Sequence, residues 1–173
     1  MAHLTRVVLM RHAKSDWFSG AGDDFLRPLN ARGVRDARHI GQWLAASGHL
    51  PPLVFSSPST RTRETLARLG EGAQAELEPH TEWRDALYHA SADALAELVW
   101  RERGRAPFMV LAHNPGLENL VAYLVGERAL AQRHGKSFPT AAVYVLDVDT
   151  SGEGLTRGSA RVVAHQRPKG LPD

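Results

Sequence analysis

The feature that most constrains the fold of this 173-residue chain is a repeated order of short apolar runs and helix-forming segments. Apolar runs of this length, placed between amphipathic segments, are typical of strands that helices cover on both faces. The runs are Val7 to Met10, Leu53 to Phe55 and Phe108 to Ala112. Their order predicts an α/β fold, a three-layer α/β/α sandwich around a mostly parallel central sheet, in a single domain over residues 1–173.

The remaining segments are assigned from caps, glycines and apolar spacing. Asn30 and Ser91 are expected to cap helices, while Ser57 and Pro58 are suited to the cap and first position of another. We expect helices from about Ala31 to Ser47, from Pro58 to the helix-breaking stretch Gly70 to Gly72, from Ser91 to Arg103 and near residues 115–125. We also expect a loop over 13–30, a third strand over 75–80, a loop over 127–140, a hairpin of strands 142–148 and 161–165, and a frayed tail over 167–173.

Composition restricts the location and the partners of the protein. The chain contains no cysteine, which excludes disulfides and thiolate metal sites. No apolar run approaches the roughly 20 residues of a membrane-spanning helix, and the first residues lack the apolar region of a signal peptide. A net charge of +2 is too small to indicate nucleic-acid binding. We therefore expect a cytoplasmic protein without a membrane or nucleic-acid partner.

Each of the three apolar runs is followed by a cluster of polar residues. The clusters are Arg11-His12, Ser57 to Arg61, and His113-Asn114. Taken alone, the first cluster fits a surface arginine and a capping histidine equally well. However, the carboxyl ends of parallel strands meet at one edge of a sheet, where ligands of open α/β sheets bind. The three clusters are therefore expected to form one site.

This set of side chains suits a phosphoryl group. Arg11 and Arg61 can each donate two hydrogen bonds to phosphate oxygens, and helix amino termini near Pro58 and Pro115 offer free N–H groups. A neutral imidazole can attack phosphorus and form a phosphohistidine, while a second one stabilises the developing charge. The sequence has no metal motif such as His-Glu-x-x-His, and we expect no metal and no cofactor.

At these residues the chain resembles the histidine phosphatase superfamily, which has the phosphoglycerate-mutase-like fold. Arg11-His12-Ala13 corresponds to the family's Arg-His-Gly, with alanine in place of glycine. The second and third motifs are Ser57-Pro58-x-x-Arg61-x-x-x-Thr65 and Ala112-His113-Asn114-Pro115. The form of the first motif, from Met10 to Trp17, is similar to the SixA-like phosphohistidine phosphatase branch.

The resemblance implies a role for each matching residue. His12 would be the nucleophile that accepts the phosphoryl group. Arg11, Arg61 and His113 would form the phosphate pocket around it, and Asn114 is expected to join them in binding phosphate. Asp23-Asp24, in the predicted loop over 13–30, is expected to be a solvated turn or part of a lid.

The proton donor for the leaving group stays open at this point. Larger members of the family use an acidic residue after the third strand, where this chain has Glu82 and Asp85. Either one is a candidate, and so is the absence of any donor. An alkoxide leaving group needs a proton, whereas imidazole, with a conjugate-acid pKa near 6.5, needs little help. A missing acid would thus favour cleavage of P–N bonds.

Together these expectations indicate a metal-independent phosphatase that works through a covalent phosphohistidine at His12. The favoured substrate is phosphohistidine on a signalling or phosphotransfer protein, because a chain of 173 residues has little room for a cap over the site. The first alternative is a phosphatase for small phosphomonoesters. The second is a phosphoprotein-binding module without catalytic activity.

Overall fold

The structure is a computed structural model that describes residues 3–131 and 137–171. Residues 132–136 of the predicted loop and residues 172–173 of the predicted tail lie outside the described residues. The described part contains a six-stranded sheet covered by helices on both faces, which confirms the predicted α/β/α sandwich. The strands are β1 (Leu4–Arg11), β2 (Val54–Ser56), β3 (Thr81–Trp83), β4 (Phe108–Ala112), β5 (Val143–Asp149) and β6 (Ala160–Gln166).

The order of strands in the sheet is β3-β2-β4-β1-β5-β6. The strands β3, β2, β4 and β1 pair in parallel, whereas β5 runs antiparallel to both β1 and β6, as the predicted hairpin requires. Arg11 at the end of β1 lies opposite Ala112, and Ser56 at the end of β2 lies opposite Leu111. Three strands therefore end at the same edge of the sheet.

The helices cover two separate apolar cores, one on each face of the sheet. Successive residues of β1 point to opposite faces, so Val7 and Leu9 belong to one core and Val8 and Met10 to the other. None of the helices in the described ranges is long and apolar enough to cross a membrane. The helices are α1 (Ala31–Ala46), α2 (Thr60–Ala73), α3 (Ala92–Glu102), α4 (Gly116–Val125) and α5 (Glu127–Ala131).

The third strand lies later in the chain than predicted. The stretch predicted as this strand, Ala75 to His80, ends in a 3-10 helix over Glu78–His80, and β3 follows directly. Pro79 lies in the first turn of the 3-10 helix, where its missing N–H removes no ladder hydrogen bond. Pairing with β2 then begins at Thr81, opposite Val54.

Helix α2 begins two residues later than predicted and continues through the glycines that were expected to end it. Its N-cap is Ser59, not Ser57. A Cβ atom on Gly72 would lie 1.9 Å from the carbonyl oxygen of Arg38, and one on Gly41 would lie 2.2 Å from that of Leu69. These glycines therefore allow α1 and α2 to pack closely, a use of glycine that does not interrupt a helix.

The tail that was expected to fray is instead packed on the protein as far as residue 171. Pro168–Gly170 forms a 3-10 turn in contact with α1, and Leu171 packs against the same core as α1. An apolar side chain at the end of a polar segment is enough to hold that segment against the surface.

We expect Gly41→Ala to lower the free energy of unfolding by about 2 kcal/mol or more, because the added methyl group overlaps the Leu69 carbonyl and forces α1 and α2 apart. This loss outweighs the gain of about 1 kcal/mol that alanine gives in a helix. Gly104→Ala is the control, since a Cβ there meets no atom within 4 Å. Equilibrium urea unfolding measures both variants, and equal stabilities would contradict this interpretation of the helix contact.

Candidate active site

The three predicted polar clusters meet in one cavity at the carboxyl edge of the sheet. The cavity has a volume of about 330 Å³. His12 and His113 approach each other in it, with ring centroids 5.2 Å apart. Its lining comprises Arg11, His12, Lys14, Ser15, Trp17, Asp24, Arg27, Arg61, His89, His113, Asn114 and Thr140.

The backbone fixes the tautomer of His12. Its Nδ1 lies 2.7 Å from the carbonyl oxygen of Ala13, and a carbonyl oxygen only accepts hydrogen bonds. Nδ1 therefore carries the proton, and Nε2 retains its lone pair. The His12 backbone is held by the Ala112 carbonyl and the Ala141 N–H, at 3.2 and 3.0 Å. The ring is thus presented with one defined nucleophilic nitrogen.

The surroundings of His12 also keep its imidazole uncharged. Burial holds the pKa of His12 well below 6.5, and the neighbouring His113, Arg61 and Arg11 lower it further against the opposing effect of the Ala13 hydrogen bond. The neutral form is the one that can attack phosphorus. At neutral pH, His12 therefore combines the required protonation state with the required tautomer.

His113 has the opposite tautomer. Its Nδ1 lies 3.3 Å from Nη2 of Arg61, and a guanidinium only donates, so Nδ1 accepts. Nε2 then carries the proton and donates to Oγ of Ser57 at 2.8 Å. Burial, followed by the charge of Arg61, lowers the pKa of His113 to about 3. Ser57, predicted as a helix cap, instead orients this histidine.

Buried Arg61 and partly buried Arg11 contribute positive charge to the cavity. Arg61 has 2% of its side chain exposed, and Arg11 donates through Nη1 to the Phe138 carbonyl at 3.1 Å. The buried Nε atoms of both arginines have no hydrogen-bond partner among the described residues, and neither has Oδ1 of Asn114. Unpaired buried donors are costly unless a ligand accepts from them.

Asp24, which was expected to belong to a solvated turn or a lid, is a residue of the site itself. Its carboxylate accepts hydrogen bonds from Arg61 at 3.1 Å and from Tyr88 Oη at 2.7 Å, and it lies 3.3 Å from Nε2 of His89. Although partial burial opposes ionisation, the bonds from Tyr88 and Arg27 and the charge of Arg61 lower the pKa of Asp24. Asp24 is thus a permanent carboxylate.

The predicted loop over 13–30 is tied to the cavity by Arg27. Its guanidinium donates to Ser15 Oγ and, at 2.7 Å, to Asp24 Oδ1, and it lies 3.6 Å from the centre of the Trp17 ring. Asp24 itself begins a 3-10 helix, Asp24–Leu26, capped by Asp23. The sequence signal for this arrangement was the acidic pair of residues close to Arg27.

Neither predicted proton donor lines the cavity. Glu82 lies within β3, where Arg84 at 2.6 Å and Arg105 bind its carboxylate, and the hydrogen bonds from Arg105 and Arg84 lower its pKa to about 2. Asp85 is exposed, in a 3-10 turn. The structure therefore brings His12, Arg11, Arg61, His113 and Asn114 together, and leaves both acids outside the group.

The backbone conformation of Ala13 explains why alanine can replace glycine in the first motif of this chain. The residue is fully buried, and its backbone does not adopt the left-handed conformation that favours glycine. Its N–H donates to Thr65 Oγ1 at 3.0 Å, and that hydroxyl donates to the Arg61 carbonyl at 2.7 Å. Thr65 thus joins the first and second motifs.

In the described ranges, no group of three or more His, Asp or Glu side chains is placed so that it could hold a metal ion. His12 already uses one ring nitrogen for a protein hydrogen bond, and His113 uses both. The positive charge that an anion meets in this cavity comes from the side chains of Arg11, Lys14, Arg27 and Arg61.

Comparison with known proteins agrees with the arrangement of the site. The sequence profile of the histidine phosphatase superfamily (branch 1) matches residues 7–92. An uncharacterised protein of Mycobacterium tuberculosis is 32% identical over 165 residues, which cover 92% of this chain and 100% of that protein. The phosphohistidine phosphatase SixA of Escherichia coli is 31% identical over 155 residues, with 86% and 89% covered.

A solved structure of a similar protein has the same fold. The crystal structure of a protein from Agrobacterium tumefaciens, assigned as the phosphohistidine phosphatase SixA, superposes with a TM-score of 0.80. It is 27% identical, and the match covers 95% of this chain and 98% of that one. The chain therefore belongs to the histidine phosphatase superfamily, and it is a phosphatase similar to the SixA phosphohistidine phosphatases.

Proposed function

We propose that this phosphatase removes the phosphoryl group from phosphohistidine on a signalling or phosphotransfer protein. One observation carries the proposal. A neutral histidine, with its nucleophilic nitrogen defined by the Ala13 carbonyl, lies in a cavity lined by Arg11 and Arg61, whose buried Nε–H donors have no partner among the described residues. An oxyanion that accepts from Arg11 and Arg61 would lie within reach of that nitrogen.

The proposed reaction has two steps. In the first, the Nε2 lone pair of His12 forms a bond to phosphorus while the P–N bond of the substrate breaks. The electron pair of that bond stays with the substrate imidazole, whose other nitrogen is already protonated, so a neutral histidine leaves. In the second step, water attacks phosphorus and the P–Nε2 bond breaks. Its electron pair returns to Nε2, the water proton passes to solvent, and inorganic phosphate is released.

The electrostatics of the cavity support a P–N substrate. Among the described residues that line it, the one carboxyl group is Asp24, and its lowered pKa prevents it from acting as an acid. An alkoxide would leave without a proton, whereas protonated phosphoimidazole leaves as neutral imidazole, a much weaker base. The E. coli relative, a phosphohistidine phosphatase by name, agrees with this substrate class.

We also propose that the enzyme works without a metal and that it is located in the cytoplasm. The two arginines supply the charge stabilisation that a loose phosphoryl-transfer transition state needs. The chain contains no cysteine and so needs no disulfide bonds, which fits the reducing conditions of the cytoplasm.

We expect wild-type protein to hydrolyse a histidine-phosphorylated phosphotransfer protein in EDTA, and His12→Ala to lose at least about a thousandfold in kcat/KM, because the covalent step loses its nucleophile. Release of inorganic phosphate measures the rate. His39→Ala, which changes a histidine on α1, is the control and should retain wild-type turnover. Loss of all activity in EDTA, restored by a metal, would contradict metal independence.

We expect kcat/KM on aryl phosphates to fall steeply as the pKa of the leaving phenol rises, because no acid protonates the departing oxygen. Glu82→Gln and Asp85→Asn should retain the same slope and remain within about twofold of wild type on every substrate, since neither side chain lines the cavity. A tenfold loss confined to the more basic leaving groups would instead identify the changed residue as the acid.

We expect the ¹³C and ¹⁵N chemical shifts of His113 to remain those of neutral imidazole between about pH 5 and pH 8, since its pKa is lowered to about 3, and those of His12 to be those of neutral imidazole at about pH 6.5, where a free histidine is half charged. The nitrogen shifts should show protonated Nδ1 in His12 and protonated Nε2 in His113, as the hydrogen bonds require. A titration of either ring with a midpoint near 6.5 would contradict the buried, neutral site.

A further inference from the structure

A second groove continues from the catalytic cavity across the surface. It has a volume of about 370 Å³ and shares three of its lining residues with the cavity, Arg11, Lys14 and Thr140. A substrate held by the phosphate pocket would therefore extend directly into this space. We call it the basic groove, and its lining comprises Arg11, Lys14, Arg32, Pro139, Thr140, Arg167, Pro168 and Lys169.

Among the described residues, the lining of the basic groove contains five cationic side chains and no acidic one. Arg32 pairs with Asp36 at 3.3 Å, but Asp36 is 6% exposed and lies outside the lining. Lys169 is exposed. One sign of charge along the walls of a groove raises the local concentration of an oppositely charged ligand.

The groove depends on the packed C-terminal segment. Leu171 packs against the core beneath α1, and the 3-10 turn Pro168–Gly170 contacts α1. This contact places Arg167 and Lys169 beside Arg32, which lies at the start of α1. The segment thus forms one wall of the basic groove, a purpose that its polar sequence alone did not indicate.

Apolar side chains lie exposed in the segment that borders the catalytic cavity. Trp17, which lines the cavity, is 67% exposed, and the next residue, Phe18, is 97% exposed. Leu26, in the 3-10 helix that begins at Asp24, is 56% exposed. Large exposed apolar groups next to a site are typical of a surface that contacts another protein.

We propose that the basic groove binds an acidic segment of the phosphoprotein substrate, on one side of the phosphohistidine. This inference rests on the proposed function, because it concerns the chain that carries the phosphohistidine. The groove is larger than the phosphate cavity itself, which is more space than a second phosphoryl group of a small ester would fill. The exposed Trp17 and Phe18 favour a protein over a small molecule.

The test compares two phosphohistidine peptides, one flanked by glutamates and one by glutamines. For wild type at low salt we expect KM for the acidic peptide to be about tenfold lower, with a similar kcat, and this advantage to shrink as salt is added. The variant Arg32→Gln/Lys169→Glu should remove the difference between the peptides. Its turnover of free N-phosphoimidazole should equal that of wild type.

The control variant, Arg101→Gln/Arg128→Glu, carries the same change in net charge outside the groove. Arg101 also resembles Arg32 in pairing with an acidic residue one turn away, Glu97. This control should keep the preference for the acidic peptide. An equal loss in both variants would show a general effect of net charge and overturn the proposal.

A binding measurement tests this inference independently of the proposed function. The same peptides with a non-hydrolysable phosphotriazole in place of phosphohistidine report on the groove by fluorescence anisotropy, whether or not turnover occurs. Equal affinity of wild type for the acidic and neutral forms would overturn the proposed role of the basic groove. Failure to hydrolyse either phosphohistidine peptide would overturn the proposed substrate class. A groove-dependent KM for a small bisphosphate, without a preference for the acidic peptide, would assign the groove to a second phosphoryl group.

Discussion

The burial of Arg61 next to two histidines is the electrostatic constraint on which the site depends. A buried charge is costly unless it is paired, and the direct partner of this guanidinium is the Asp24 carboxylate. Its charge then disfavours a proton on either His12 or His113. The same arginine thus adds to the effect of burial in keeping the nucleophile neutral, orders the 3-10 helix over the cavity and retains an unpaired Nε–H for a ligand.

The register of the sheet makes this arrangement possible. Because Arg11 lies opposite Ala112 and Ser56 opposite Leu111, the residues that follow these strands leave the sheet at the same level. A shift of one residue would turn the side chains of a strand to the other face of the sheet. The apolar residues of β1 are buried on both faces, which fixes that register before any site residue contributes.

This dependence explains how much of the site could be predicted from sequence. His12, His113 and Arg61 follow strands whose apolar runs are unambiguous, so their convergence follows from parallel pairing alone. Asp24 lies within a polar segment that has no periodicity, and its place in the cavity is set by contacts with Arg61 and Tyr88 that are distant in sequence. Local spacing carries no information about such contacts.

The errors in the predicted elements have the same origin. Gly70 and Gly72 were expected to end a helix because glycine favours turns, yet the close approach of Arg38 to Gly72 makes glycine necessary within α2. The segment from Arg167 to Leu171 was expected to fray because most of it is polar, yet the packing of partly buried Leu171 against the core holds it in place. In each case a tertiary contact outweighed the local preference.

The burial of two histidines beside the charges that prepare the site for phosphate makes the fold sensitive to acid. The pKa values of His12 and His113 are lower in the folded protein than the ordinary value of 6.5. Below that pH the unfolded chain therefore binds protons that the folded one does not, and the two histidines favour unfolding as the pH falls. A bound phosphate would oppose this effect, since its negative charge offsets Arg11 and Arg61 and accepts from their unpaired donors. The features that make the site costly to fold in acid are thus the ones that give it affinity for an anion.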